Sequence, residues 1–217
     1  RSRRQRQMCI RDRFINGPIN KKTFLNKQFL GITEYISYKF NTKMNAMLIY
    51  NKKLSVCPIT THLPIKLVSK EINKKNISNK VFLINNFYLK KFGFRPKIAI
   101  LGLNPHCESV DKYSEDDKII KPTIKYLKAR YNVSGPYSAD TIFLKNNRKN
   151  FNVIIGMYHD QVLTPLKTLY EYDAINITLG LPFDRVSPDH GPNEKMIGKN
   201  ISNPLSLIRA IQFLEKN

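Results

Sequence analysis

Three of the four histidines in this chain share one setting. His62 follows the run LSVCPITT, His106 follows KIAILGLNP and His159 follows FNVIIGMY, so each lies just beyond an apolar stretch that reads as a strand. Strand ends of an open α/β sheet gather their loops around a common crevice. Imidazole is a good ligand for zinc and its neighbours, and three protein ligands with open positions is the arrangement of catalytic metal sites. A single histidine after a strand is ordinarily a loop or capping residue; the repetition makes a divalent-metal site the competing reading. HExxH and HxxxH spacings are absent. Near the third histidine lie groups suited to an anionic substrate: Lys167, Asn176 within AINITL, Arg185 within LPFDR, and the closing Asp189-His190-Gly191. Arginine is scarce outside the first thirteen residues, which singles out Arg185.

For these side chains to meet, a sheet must bring distant strand ends together. Residues 46–50, 54–59 (ending near Pro58), 97–103, 151–157 and 174–179 read as strands, several apolar throughout, as expected where both faces are covered. Residues 63–76 and 78–92 read as helices, with Ser78 as N-cap and Gly93 as stop. A charged loop over 108–117 leads to a helix around 119–131 with Pro122 near its first turn; Gly135-Pro136 reads as a turn, followed by a short helix over 139–144. The final helix takes Asn203 as its cap and Pro204 at its first position, with Leu205, Leu207, Ile208, Ile211 and Leu214 at core spacing. Strands alternating with helices predict a layered α/β domain on a parallel or mixed sheet.

Composition narrows the partners. The 217 residues are enough for one large or two small domains. The net charge of +21, from 37 Lys+Arg against 16 Asp+Glu, would suit nucleic acid or a membrane surface if it were focused. Instead the lysines are spread through nearly every segment among asparagines and isoleucines, without interleaved aromatics, so neither partner is expected. Residues 1–13, RSRRQRQMCIRDR, hold six of the eleven arginines and read as a non-native scar or a disordered basic arm, leaving 14–217 as the folding region. Cys9, Cys57 and Cys107 form no CxxC pair, which points to a reducing, cytoplasmic setting. No apolar run is long enough to span a membrane, and no GxGxxG or GxxxxGK turn is present.

The motifs TTHLP (60–64), GLNPH (102–106), GPYSADT (135–141), MYHDQ (157–161) and NITLGLPFDRVSPDHG (176–191), preceded by GPINK (17–21) and GITE (31–34), occur in that order. Together they resemble the 4-hydroxythreonine-4-phosphate dehydrogenase family of pyridoxal phosphate biosynthesis, over about residues 16–216. The resemblance implies a three-layer α/β/α fold of the isocitrate/isopropylmalate dehydrogenase kind, with the N-terminal part of the family fold missing from a truncated chain. It implies an NAD-dependent oxidation of 4-phosphooxy-L-threonine to a β-keto acid that decarboxylates to 3-amino-2-oxopropyl phosphate. His62, His106 and His159 match the family's ligands to a divalent cation (zinc, magnesium or cobalt), and Thr33, Lys167, Asn176 and Arg185 match its substrate contacts. It further implies a homodimer with a shared active site, His62 and His106 coming from one chain and His159 from the other. Asp140 and Asp160 are the candidates for handling protons or orienting the imidazoles, and NAD contacts stay unassigned.

Two departures stand out. The family's GHTE reads Gly31-Ile32-Thr33-Glu34 here, placing Ile32 where the family contacts substrate with histidine, and GLNPHAGE reads GLNPHCE. Ile32 makes a paralogous dehydrogenase of a related phosphorylated hydroxy acid one alternative, and the missing N-terminal part makes an inactive fragment another, with a basic nucleic-acid-binding domain as the rival from another class.

Overall fold

The structure is a computed structural model that describes residues 13–19, 28–29, 31–110, 112–191, 194–196 and 198–215. Its strands are β1 (Arg13–Ile15), β2 (Ala46–Tyr50), β3 (Ser55–Thr60), β4 (Ile98–Leu101), β5 (Val133–Tyr137), β6 (Val153–Tyr158), β7 (Ile175–Leu179) and β8 (Asp184–Pro188). Among the described residues they form one eight-stranded sheet in the order β1-β8-β7-β2-β3-β6-β4-β5. The half built from β3, β6, β4 and β5 is parallel, whereas β8, β7, β2 and β3 pair antiparallel.

The helices are α1 (Ile32–Lys39), α2 (Ile65–Glu71), α3 (Lys74–Phe92), α4 (Lys121–Leu127), α5 (Ala139–Ile142), α6 (Lys145–Arg148), α7 (His159–Tyr170) and α8 (Leu205–Glu215). Strand alternation divides the core in two. Ala46 and Leu48 of β2 face Ile77, Val81 and Ile84 of α3, Ile124 of α4 and Ala210 of α8. Met47 and Ile49 face the opposite side, where Val162, Leu163 and Leu166 of α7 pack with Ile142 of α5. Helices on both faces of one sheet make the expected three-layer α/β/α architecture. Among the described residues no helix is long and apolar enough to cross a membrane.

Several boundaries differ from the sequence reading, each for a local reason. β3 runs through Pro58 to Thr60, with Pro58 opposite Gly156 of β6; β2 pairs with β3 only at Ile49↔Val56, so a residue without an N–H is accommodated farther along. The expected break at Ser78 lies at Ile72 and Asn73 instead, because the Asn73 side chain accepts the Asn76 N–H at 2.9 Å and caps α3. Gly93 does end that helix, in the left-handed region at φ 76°. Gly135-Pro136 is not a turn but lies within β5. That strand is at the sheet edge, where proline is tolerated, and a Cβ on Gly135 would strike the Ile100 carbonyl.

The last helix is capped by Asn203, whose side chain accepts the Leu205 N–H at 2.9 Å, but its buried face is Ser206, Ala210 and Leu214. Leu207, Ile208 and Ile211 are exposed, contrary to the core assignment. Small residues let α8 approach the sheet, and Ser206 is spent there, donating to the Ala174 carbonyl at 2.5 Å. β1, α1 and β8 were not anticipated as elements. β1 begins at Arg13, the last residue of the arginine-rich segment; residues 1–12, with Asn20 and Lys21 of GPINK, lie outside the described residues.

Candidate active site

A cavity of about 380 Å³ opens beside the carboxyl ends of β3 and β6. Its walls include Ile32 and Thr33 from the first turn of α1, His62 beyond β3, and His159 and Lys167 from α7. Its floor is written by the β7–β8 register, which pairs Asn176 with Ser187 and Thr178 with Arg185 and sets them on the face of Met47 and Ile49. Thus Thr33, His62, His159, Lys167, Asn176 and Arg185, six of the sequence-derived candidates, line one space.

The two imidazoles are close, with ring centroids 5.7 Å apart. His62 Nδ1 donates to Glu34 Oε1 at 3.2 Å and His159 Nδ1 to Asp160 Oδ1 at 2.6 Å. A carboxylate only accepts, so each neutral ring carries its proton on Nδ1 and keeps the Nε2 lone pair. Carboxylate–imidazole pairs of this kind orient metal-ligating histidines, and the donor set therefore fits a divalent cation. Burial works against the Glu34 carboxylate, yet the hydrogen bonds from His62 and from Thr61 (2.7 Å) outweigh it and hold its pKa down to about 2. Gly31 must lack a side chain here: a Cβ would lie 2.6 Å from Glu34 Oε2 and 2.7 Å from His62 Cε1.

Arg185 has no exposed surface. Its Nε donates to Asn16 Oδ1 and its Nη1 to Thr178 Oγ1, both at 2.8 Å, while Nη2 is buried with no hydrogen-bond partner among the described residues. Burial pulls its pKa down to about 10, the Glu34 charge acting in the opposite sense, so it stays cationic at neutral pH. Asn176 Oδ1 is likewise buried and unpartnered among the described residues. Lys167 Nζ donates to the Asp189 carbonyl oxygen and lies 2.8 Å from Asp189 Oδ2. Burial raises the Asp189 pKa, opposed chiefly by the Lys167 charge. The cavity thus offers cations and unfilled polar atoms to an anionic, hydroxylated molecule.

His106 stands apart. It does not line this cavity, and no three His, Cys, Asp or Glu side chains come together as a metal cluster among the described residues. The expected partition, His62 with His106 in one chain and His159 from another, is therefore corrected: a single chain pairs His62 with His159. His106 and Cys107 occupy the left-handed region at φ 56° and 60°, which costs about 1–2 kcal/mol for each such non-glycine residue. Asp160 takes the orienting position; Asp140 is exposed in a separate groove between α5 and α7. Sequence reasoning missed Glu34, Asn16, Thr178 and the Lys167–Asp189 pair. Glu34 had a signal as the last residue of GITE, Thr178 and Asp189 as members of NITLGLPFDRVSPDHG; Asn16 had none.

A family model described as pyridoxal phosphate biosynthetic protein PdxA matches residues 9–214. A 4-hydroxythreonine-4-phosphate dehydrogenase of Sulfurihydrogenibium sp. is 45% identical over 207 residues, which cover 93% of this chain and 64% of the relative. A D-threonate 4-phosphate dehydrogenase of Pectobacterium atrosepticum is 34% identical over 201 residues, 90% of this chain and 61% of the relative. Among solved structures, 4-hydroxythreonine-4-phosphate dehydrogenase from Klebsiella pneumoniae aligns with a TM-score of 0.78 at 30% identity, over 94% of this chain and 64% of that one. Isocitrate dehydrogenase from Methylococcus capsulatus shares the fold, with a TM-score of 0.57 at 10% identity over 97% of this chain and 69% of that one. The chain spans 64% and 61% of the lengths of the two relatives.

Proposed function

The chain belongs to the PdxA family of pyridoxal phosphate biosynthetic proteins, and we propose that its cavity binds 4-phosphooxy-L-threonine and oxidises the secondary hydroxyl with NAD, in the cytoplasm. One observation carries this reading: two carboxylate-oriented imidazoles, Lys167, Asn176 and Arg185 converge on one space from segments far apart in the chain. Arg185, whose Nη2 has no partner among the described residues, and Lys167 hold the anionic ends of the substrate and set its distance and angle to the oxidant. Asn176 Oδ1 accepts from a substrate hydroxyl or ammonium, and Thr33 contributes its hydroxyl from the first turn of α1. Glu34 and Asp160 keep His62 and His159 in the tautomer that leaves Nε2 open.

In this proposal His62 and His159, with the His106 of a second copy in a homodimer, would hold a zinc, magnesium or cobalt ion, which would supply Lewis acidity toward the substrate oxygens. NAD would supply the hydride acceptor. With no GxGxxG turn in the sequence, that part rests on family membership, and no residue is assigned to NAD. The β-keto acid formed loses carbon dioxide to give 3-amino-2-oxopropyl phosphate.

A second reading is favoured by Ile32, an apolar side chain on the cavity wall at the position of the family's substrate-binding histidine. It assigns the same chemistry to a related phosphorylated hydroxy acid, of which D-threonate 4-phosphate, named for one relative, is the test case. NADH formation from the two substrates, with and without a chelator, decides. Metal-dependent turnover of 4-phosphooxy-L-threonine is expected; preference for D-threonate 4-phosphate selects the second reading. Turnover undiminished by chelator ends the metal assignment, and no turnover by metal-loaded protein marks an inactive fragment.

A further inference from the structure

The His106 loop is held far more firmly than a connector requires. Asp116, at the start of a π-helical turn (Asp116–Ile120), has no exposed surface. Its Oδ1 accepts the Leu103 N–H at 2.9 Å, and its Oδ2 accepts the Asn104 N–H at 3.0 Å and the Asn104 Nδ2 at 2.9 Å. Three donors from two consecutive residues thus converge on one buried carboxylate, immediately before Pro105 and His106. Gly102 is pressed against the same group: a Cβ there would lie 2.6 Å from Asp116 Oδ1 and 2.7 Å from Cys107 Sγ.

A second brace reaches this loop from the other histidine. Gln161, in the first turn of α7, accepts the Met157 N–H through Oε1 at 2.7 Å and donates from Nε2 to the Gly102 carbonyl at 2.9 Å. One amide therefore ties the end of β6, which carries His159, to the end of β4, which leads to His106. The backbone at His106 and Cys107 is left-handed, a conformation non-glycine residues keep only where their surroundings over-determine it. The carboxylate and the amide are those surroundings.

We infer that Asp116 and Gln161 are positioning residues, which fix the His106 imidazole in one pose relative to His159 and so present it to the metal site of a second copy. The inference rests on the metal reading above and deepens it. Neither side chain lines the substrate cavity, so each acts only through the loops it ties. Asp116→Asn replaces one acceptor with a donor facing N–H groups; Gln161→Met keeps the length of the side chain and removes both hydrogen bonds.

The test titrates the full chain with Co2+, followed by its visible absorption, at one protein concentration. His62→Ala serves as the control that locates the ion, and hydrogen exchange at the Leu103 and Asn104 amides and the His106 ring signals are recorded without metal. Asp116→Asn and Gln161→Met are each expected to weaken Co2+ about tenfold or more and to alter its absorption band. Asp116→Asn is also expected to release the Leu103 and Asn104 amides to exchange, and both variants to average the His106 signals toward those of an unstructured peptide. Wild-type Co2+ affinity and band shape in both folded variants overturn the inference. If the wild-type chain takes up no Co2+, the metal reading fails, and bracing of His106 is decided by exchange and ring signals. Unprotected Leu103 and Asn104 amides in the wild type, or His106 signals unchanged in both variants, overturn it there. If Asp116→Asn does not fold, Gln161→Met alone decides.

Discussion

Replacing Arg185 with methionine should leave the free protein about as stable and its anion site weaker. In the free protein this guanidinium has no exposed surface, and its Nη2 lacks a partner among the described residues. Burial lowers its pKa from the ordinary guanidinium range to about 10, a penalty on the charged form of about 3 kcal/mol. For a base depressed in the folded state, that penalty is fully present below the folded pKa. It fades as pH climbs through about 10 toward the ordinary guanidinium range. At neutral pH Arg185→Met removes all of it. Against this, Thr178 Oγ1 and Asn16 Oδ1 each lose a hydrogen bond from a charged donor, at about 1.5 kcal/mol apiece or more. The two sides nearly cancel, so the free variant should melt within a few degrees of the wild type.

Binding moves the other way. A hydrogen bond to a charged group contributes about 1.5–3 kcal/mol, so affinity for 4-phosphooxy-L-threonine should fall about ten- to a hundredfold. Thermal unfolding with and without that compound reads both effects in one experiment. The expected result is a nearly unchanged Tm alone and a lost or greatly reduced rise on adding ligand. A variant that melts several degrees lower while keeping the full ligand-induced rise would refute the reasoning, because Arg185 would then be a structural cation and not a vacant receptor.

Lys167→Met should lower Tm by stranding the buried Asp189 carboxylate, at about 1–3 kcal/mol because Lys167 is itself half-exposed. The double variant Lys167→Met/Asp189→Asn should recover most of that loss without recovering turnover; a double variant as unstable as the single would show that the pair is not coupled. Gly31→Ala should displace His62 and Glu34, since the new methyl would lie 2.6 Å from Glu34 Oε2, and calorimetry should find zinc affinity reduced at least severalfold. Unchanged affinity would mean that the two side chains tolerate the shift. Cys57 is buried and its thiol is pushed up to about 11 by that burial. In a Cys9→Ser/Cys107→Ser background it should react with a disulfide reagent at pH 8 only on unfolding, and rapid labelling of the native chain would contradict the packing.

The parts of the fold legible in the sequence are those where one local signal suffices. AMLIY matches β2 residue for residue because a central strand covered on both faces is apolar throughout. Asn203-Pro204 announces the start of α8 through capping chemistry alone. β8 left no such trace: DRVSP is polar because its face carries the site, with Arg185 and Ser187 turned to the cavity. The face of α8 misled for a related reason. Its largest apolar residues suggested burial, whereas the close approach to the sheet selected Ser206 and Ala210. Tertiary geometry decided both, and neither hydropathy nor propensity reports it.

The site shows the same division at the level of single rings. Residue type and strand-end position identified His62 and His159, and the sheet order explains why they meet: β3 and β6 are paired neighbours, about 4.8 Å apart as adjacent strands are. His62 lies two residues beyond β3 and His159 immediately follows β6, excursions too short to separate rings that start on neighbouring strands. β4 is the next strand along, but His106 comes five residues after it ends, past a proline and within a left-handed pair. Equal placement in sequence therefore does not become equal placement in space. The length and twist of each strand-end loop decide whether an imidazole stays with its own chain's cavity or is turned away from it. In this chain two of the three imidazoles meet at the cavity, and the third lies outside it.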